Sequence, residues 1–251
     1  MRPTARSGPL QSGGNSRLAM HASLRRQLLH LATDLAELVE NPSDLPHGFD
    51  LLTRSYTTPA ADAARAALRA DPAIAPLVSE RYWGDWPSQA ELLALPAESL
   101  GHRYATWFAN AGGQPLPDPV LAPGTDGDDT WLQQRVRRTH DVWHVVSGCP
   151  PSPAGEAALS AINVMQLRWP GSAMLLGADL LHRCLAGPAD DEPDVGLAAA
   201  FGLKLGAVCA PLLAQRWEEG WHRPLAEWRE QLGIAALVAR SPFAAQEGCR
   251  L

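Results

Sequence analysis

His140-Asp141-Val142-Trp143-His144, followed after eleven residues by Glu156, is the stretch on which the reading of this 251-residue chain turns. On a helix, two histidines four residues apart share one face, about 40° apart around the axis. Imidazole nitrogens so spaced can grip one divalent metal. Glu156 lies beyond a Gly148-Cys149-Pro150-Pro151 break and can fold back from a second element as a third, hard ligand. Two imidazoles and a carboxylate leave positions open on a metal, which catalysis needs and a purely structural site lacks.

The helix carrying the pair is read from about Thr130 to Ser147, with Asp128 or Asp129 as N-cap. Leu132, Val136, His140 and His144 form one i+4 row, and Val142, Val145 and Val146 lie on the other side. A helix that is apolar on both sides is buried, so the histidines belong to the interior. Ser152-Pro153 restarts helix as cap and first helical residue, which puts Glu156 in the first turn. That helix runs to about Arg168, where Pro170-Gly171 ends it.

Upstream, Leu24, Leu28, Leu31, Leu35 and Leu38 mark an amphipathic helix over 22–40, stopped by Asn41-Pro42. Further helices are read over 59–70, near 73–82, from Ser88 and from Ser99 to Ala111, before a loop over 112–129. Downstream come helices over 172–186 and 195–215, separated by the acidic loop 190–194. A last amphipathic stretch carries Trp217, Trp221, Leu225, Trp228 and Leu232. No alternating strand pattern is present. The expected class is all-α: a single compact multi-helix domain over 20–240 with a buried central metal-binding helix. Residues 1–19 are read as a disordered tail and 241–251 as a C-terminal tail.

The formal net charge of −6 argues against nucleic acid as a partner, because phosphate binding needs a basic face. Cys149, Cys184, Cys209 and Cys249 form no CxxC pair, which suggests a reducing cytoplasm. Residues 1–19 lack the apolar core of a secretory signal. Val195 to Ala214 has about the length of a membrane span but contains Lys204 and Pro211, so a buried helix is the better reading. Gly202-x-x-x-Gly206 and the Trp-rich C-terminus are weak candidates for a subunit contact, as in a homodimer, or for a membrane contact.

A lone HxxxH pair is as often two ordinary buried histidines as a ligand pair. Here Asp141 adjoins it, Glu156 follows across the turn, and a buried helix makes unpartnered imidazoles costly. Asp141 has two readings. It reaches the same metal if the helix end is distorted; otherwise it orients an imidazole or pairs with Arg135, Arg137 or Arg138. His21, His30, His47, His102, His182 and His222 show no ligand spacing, and Cys149 reads as a small buried residue.

Arg135-Val136-Arg137-Arg138-Thr139-His140-Asp141-Val142-Trp143-His144-Val145-Val146-Ser147-Gly148, with Pro150, Pro151, Gly155 and Glu156, resembles the coenzyme Q biosynthesis protein 4 family. The family's HDxxH, eleven residues, E signature is met without a gap. Leu92 to Tyr104 is similar to its Leu-Pro, Leu-Gly, Tyr segment, and Trp228 to Ile234 to its closing Arg-x-x-Leu-Gly-Ile. The likeness spans about 90–235. Ala158 to Gln166 stands where the family has a Lys-Trp-Phe-Glu-like stretch.

The resemblance implies a helical protein with one divalent metal on His140, Asp141, His144 and Glu156. That metal is zinc or a redox metal such as iron, manganese or cobalt. It also implies ubiquinone synthesis on a polyprenylated 4-hydroxybenzoate-derived ring, by oxidative decarboxylation that replaces the C1 carboxylate with a hydroxyl. Other ubiquinone-biosynthesis enzymes are implied partners, and the bacterial cytoplasm, peripheral on the inner membrane, is the expected location. If the metal is zinc, dioxygen must be activated by the electron-rich ring or by a partner. Helices after 170 would form a cleft for the isoprenoid tail. Two rival readings remain: a non-catalytic lipid-binding scaffold with a structural metal, and a hydrolase built on zinc-bound water.

Overall fold

Small polar caps and prolines cut the chain into helices, and the computed structural model gathers them around one long central helix. The structure describes residues 25, 29–42, 44–114, 127–187 and 193–244. In order, the helices are α1 (29–40), α2 (Leu45–Ser55), α3 (Pro59–Ala70), α4 (Ala75–Glu80), α5 (Gln89–Leu93) and α6 (Leu100–Asn110). Then follow α7 (Gly127–Ser147), α8 (Pro153–Leu167), α9 (Pro170–Ala186), α10 (Val195–Val208), α11 (Leu225–Gln231) and α12 (Ala235–Val238). Single 3-10 turns stand at Leu212–Ala214 and Trp217–Glu219. Among the described residues the extended structure is one isolated bridge, Ser99 with Pro224, so the protein is all-α. Thr58, Ser88, Ser99 and Ser152 each accept a hydrogen bond from the backbone N–H three residues on, as N-caps do.

Several boundaries differ from the sequence reading. The sequence reading omits helix α2, although Asp44 caps it by accepting from the His47 N–H, Pro46 stands in its first turn and its apolar residues lie on one side; Leu51 is buried against α9. Helix α7 starts at Gly127, so Asp128 and Asp129 lie in its first turn rather than at the cap. The Asp129 carboxylate is engaged by Arg65 at 2.8 Å and by Arg69, both from α3. Pro170 begins α9 instead of ending α8, which stops at Arg168 in the left-handed region (φ 55°). Helix α10 ends at Val208, where Pro211 approaches and the Ala210 N–H turns to Leu232 O at 3.1 Å. The tail 1–19, the start of the first helix, loop residues 115–126, acidic residues 188–192 and residues 245–251 lie outside the described residues.

Helix α7 runs through the core. Trp131 and Trp143 on it, and Trp217 beyond, are fully buried. Arg135, also fully buried, pairs with Glu218 and donates to Gln215 O at 2.8 Å; Trp86 Nε1 donates to the same carboxylate at 3.2 Å. A buried charge is tolerable when it is paired and hydrogen-bonded in this way. Arg135 is therefore committed here rather than to Asp141. Arg137 lies over Phe49 and Arg138 over Trp86.

Helix α8 packs most extensively on α10, and glycine makes that possible. A Cβ on Gly202 would stand 2.1 Å from Ala158 O, and one on Gly206 would stand 2.8 Å from Met165 Cβ. The glycine pair read as a subunit or membrane contact is thus used up inside the chain. Trp217, Trp221 and Trp228, given the same reading, are buried in the core. So close an approach leaves no room for a tail cleft between α8 and α10. Apolar surface remains on the outer faces of α9 and α10, where Leu181, Leu185, Leu197 and Val208 are exposed. No described helix is long and apolar enough to cross a membrane.

Gly202→Ala should lower stability by about 1–3 kcal/mol, because the added methyl meets backbone. Gly177→Ala on α9, where a Cβ meets nothing within 4 Å, should raise it by about 0.5–1 kcal/mol through helix propensity. Urea unfolding of the two variants beside wild type reads both; equal shifts would contradict the packing.

Candidate metal centre

One helix stop and one restart place the three ligating groups. Gly148, at φ 73°, ends α7 just after His144. The Cys149 N–H returns to His144 O at 3.0 Å, and the Cys149 carbonyl takes the His144 Nδ1 proton at 3.1 Å. A carbonyl can only accept, so Nδ1 carries a hydrogen, and in the neutral imidazole that a metal would bind Nε2 keeps its lone pair. Ser152 then caps α8, with the Glu156 N–H on Ser152 O at 2.8 Å. Gly155 must be glycine: a Cβ there would lie 1.9 Å from Pro150 O. This close passage of α8 over the turn brings Glu156 back onto the histidine face of α7.

Ligand atoms of His140, His144 and Glu156 all lie within 4.8 Å of one another. Glu156 Oε1 is 3.1 Å from His144 Nε2, and Oε2 is 3.7 Å from His140 Nε2. The two imidazoles meet edge-on, centroids 4.8 Å apart. His144 is fully buried, and its Nε2 has no hydrogen bond despite the nearby carboxylate. Opposite ligands of one ion span about 4 Å, so a set this close, with a lone pair aimed inward and otherwise unused, fits a divalent cation. Asp141 is not one of the three. Its Oδ1 accepts from His140 Nδ1 at 3.1 Å, which leaves His140 Nε2 facing Glu156. That is the orienting role of the two read for Asp141.

Charge is strongly coupled here. Burial works against a proton on His144, but Glu156 first, then Asp141 and the Cys149 carbonyl, outweigh it and make the imidazole more basic than usual. Desolvation works against the Glu156 carboxylate too, yet His144 and then His140 hold its carboxyl at about 2. The Glu156 side chain is about half exposed (49 %), so the centre is open on that side.

Three residues at the centre were not read as site residues. Trp107 of α6 stacks on His144, centroids 5.0 Å apart. Tyr104, one turn earlier, has its phenol pushed up by burial and then by Asp141. Asp179 of α9 has its carboxyl raised to about 7, by burial and then by Glu156. As the one acid on α9, Asp179 carried a signal that periodicity alone does not weigh. The aromatic pair had none, since Tyr104 and Trp107 repeat at the spacing of ordinary core residues. Away from the centre, His102 Nδ1 meets Leu93 O at 3.0 Å, His182 Nδ1 meets Val39 O at 2.8 Å, and His47 lies between Asp44 at 2.9 Å and Glu37 at 3.0 Å.

The family model for Coenzyme Q (ubiquinone) biosynthesis protein Coq4 matches residues 63–237. A mitochondrial ubiquinone biosynthesis protein coq4 of Talaromyces stipitatus is 30% identical over 145 residues, 58% of this chain and 49% of that protein. The corresponding protein of Coccidioides immitis is 27% identical over 172 residues, 68% of this chain and 59% of the relative. The chain thus spans about half the length of the fungal relatives it matches. A crystal structure of a protein from Nostoc punctiforme PCC 73102, named for ubiquinone biosynthesis, superposes with TM-score 0.70 at 29% identity, covering 83% of this chain and 96% of that one.

Asp179 supplies a test of the electrostatics. Its folded pKa lies above the ordinary carboxyl value, so the folded state holds the proton more tightly and stability falls as pH rises from about 4 to about 7. In metal-free protein, Asp179→Asn should therefore melt above wild type at pH 8, with the gap closing by pH 4. A gap that does not change with pH would remove Asp179 from the neighbourhood of Glu156.

Proposed function

Because the chain belongs to the Coenzyme Q (ubiquinone) biosynthesis protein Coq4 family, we propose that it is a metal-dependent enzyme of ubiquinone biosynthesis. The reaction proposed is oxidative decarboxylation of a polyprenylated 4-hydroxybenzoate-derived precursor. The C1 carboxylate leaves as carbon dioxide and a hydroxyl takes its place, a two-electron oxidation that balances with water as the hydroxyl source and dioxygen as the oxidant, reduced to hydrogen peroxide. The observation that carries the reading is the convergence of His140, His144 and Glu156 donor atoms within 4.8 Å, on a side where Glu156 is half exposed. Three protein ligands and an open side suit a working site better than a closed structural one.

His144 and His140 would bind the metal through Nε2, and Glu156 through its carboxylate. When bound, a divalent metal supplies a Lewis acid that can polarise a substrate carboxylate or phenolate. Cys149 and Asp141 fix the two tautomers, so both imidazoles reach the centre with lone pairs forward. Asp179, with its carboxyl near 7, is the group beside Glu156 that can hold a proton at neutral pH. Trp107 lies against one face of the His144 ring. Zinc, iron, manganese and cobalt all accept this donor set.

A scaffold reading draws on a separate observation, the exposed leucines on the outer faces of α9 and α10. Such a surface suits contact with the inner membrane, another pathway enzyme or a second copy of the chain. The two readings part in the behaviour of the metal ligands.

Elemental analysis of purified wild type should give about one divalent metal per chain, lost in both His140→Ala and Glu156→Ala. Glu156→Ala, at a half-exposed position, should keep its melting temperature within a few degrees of metal-free wild type. The same variant should lose carbon dioxide release from the polyprenylated carboxylate under oxygen. Wild type without metal after reconstitution would overturn the centre. Metal binding without decarboxylation, with ligand variants that only unfold earlier, would give the scaffold the stronger claim.

A further inference from the structure

We propose that Trp107 is a positioning residue of the centre, holding the His144 imidazole in the orientation from which Nε2 reaches a bound metal. The inference rests on the metal-centre reading above and goes beyond its ligand set.

The indole of Trp107 and the imidazole of His144 lie nearly flat on one another, centroids 5.0 Å apart and planes inclined by 24°. His140 meets the same imidazole edge-on, with planes inclined by 72°. The Cys149 carbonyl takes Nδ1 at 3.1 Å. A single in-plane hydrogen bond fixes one atom of a ring and still lets the ring rock about that bond. A flat neighbour on one face removes the rocking, and the direction of the Nε2 lone pair is then set.

Trp107 can serve this way because its helix is tied down. Helix α6 begins at a Ser99 cap, and its first two N–H groups donate to Arg223 O and Trp221 O, each at 2.8 Å. Its third turn, which carries Trp107, is thereby anchored to the C-terminal segment. The indole N–H is buried and has no acceptor among the described residues. A buried indole donor usually finds a partner, so this ring is held by its face and not by its polar edge. Metal at Nε2 would draw electron density from the imidazole, and an electron-rich indole face favours an electron-poor ring, as it favours a cation. Stack and metal then strengthen each other, and the coupling runs both ways.

The experiment strips metal from wild type, Trp107→Phe and Trp107→Leu with a chelator and titrates cobalt(II) into each. Visible absorption of the bound ion and tryptophan emission are followed together. Trp107→Leu, which loses the stack, should bind cobalt(II) about fivefold or more weakly and shift the visible bands. Trp107→Phe keeps an aromatic face and should stay within about twofold of wild type. Cobalt should also quench a component of wild-type emission that Trp107→Phe lacks, since the indole lies against a metal ligand.

A Leu variant with wild-type affinity and spectrum overturns the proposal. So does a Phe variant as weak as Leu, which would place the effect in the N–H. Should Trp107→Leu fail to fold, the emission comparison decides: equal quenching in wild type and Trp107→Phe overturns the stack. Wild type that takes up no cobalt overturns the metal centre itself, whereas normal wild-type uptake matched by every variant sinks the role of Trp107 alone.

Discussion

The passage of Gly155 over the Pro150 carbonyl is the contact on which the rest of the centre depends. A side chain there would put a carbon 1.9 Å from that oxygen, so α8 would have to leave the turn at another angle. Glu156 is the next residue, and its position relative to His140 and His144 follows from that angle. The other half of the turn fixes the partner. Cys149 gives its N–H to the His144 carbonyl and its own carbonyl to the His144 ring, clamping one residue from two ends. Five residues of turn, 148–152, thus set backbone and side-chain geometry together. Local hydrogen bonds are cheap to form at a helix stop, because the last carbonyls need partners in any case.

Everything outside the turn keeps the two helices in place. Helix α7 cannot slide, because Arg135 is committed to Glu218 and Gln215 in the interior and Asp129 to Arg65 and Arg69 on α3. Helix α8 is gripped on its far side by the glycine face of α10. The centre therefore sits between a long helix pinned by buried charge and a short one pinned by close packing. Such support is what a site needs if its ligands are to hold their geometry to within about half an ångström.

The electrostatic environment is lopsided. Glu156, Asp141 and Asp179 are the acids around two imidazoles, and in the absence of a cation His144 is drawn toward protonation while Asp179 is drawn toward neutrality. A divalent cation would answer both tendencies at once, since metal binding requires neutral histidine and favours ionised carboxylate. The exposed leucines of α9 and α10 form an apolar surface apart from these charges.

The sequence by itself determined the helical class, the buried helix of the two histidines, the restart at Ser152-Pro153 and the presence of Glu156 in the first turn. All of these are local: periodicity, capping and proline act over a few residues. Other features were decided by tertiary structure alone. The glycine pair of α10 and the C-terminal tryptophans suggested an outward contact, but burial assigns them to the core. Asp141 was left between two roles until the ring of His140 took its carboxylate. Trp107, Tyr104 and Asp179 reach the centre from α6 and α9, which lie tens of residues away along the chain. No local pattern encodes such proximity, because it comes from how whole helices pack and not from the residues beside them.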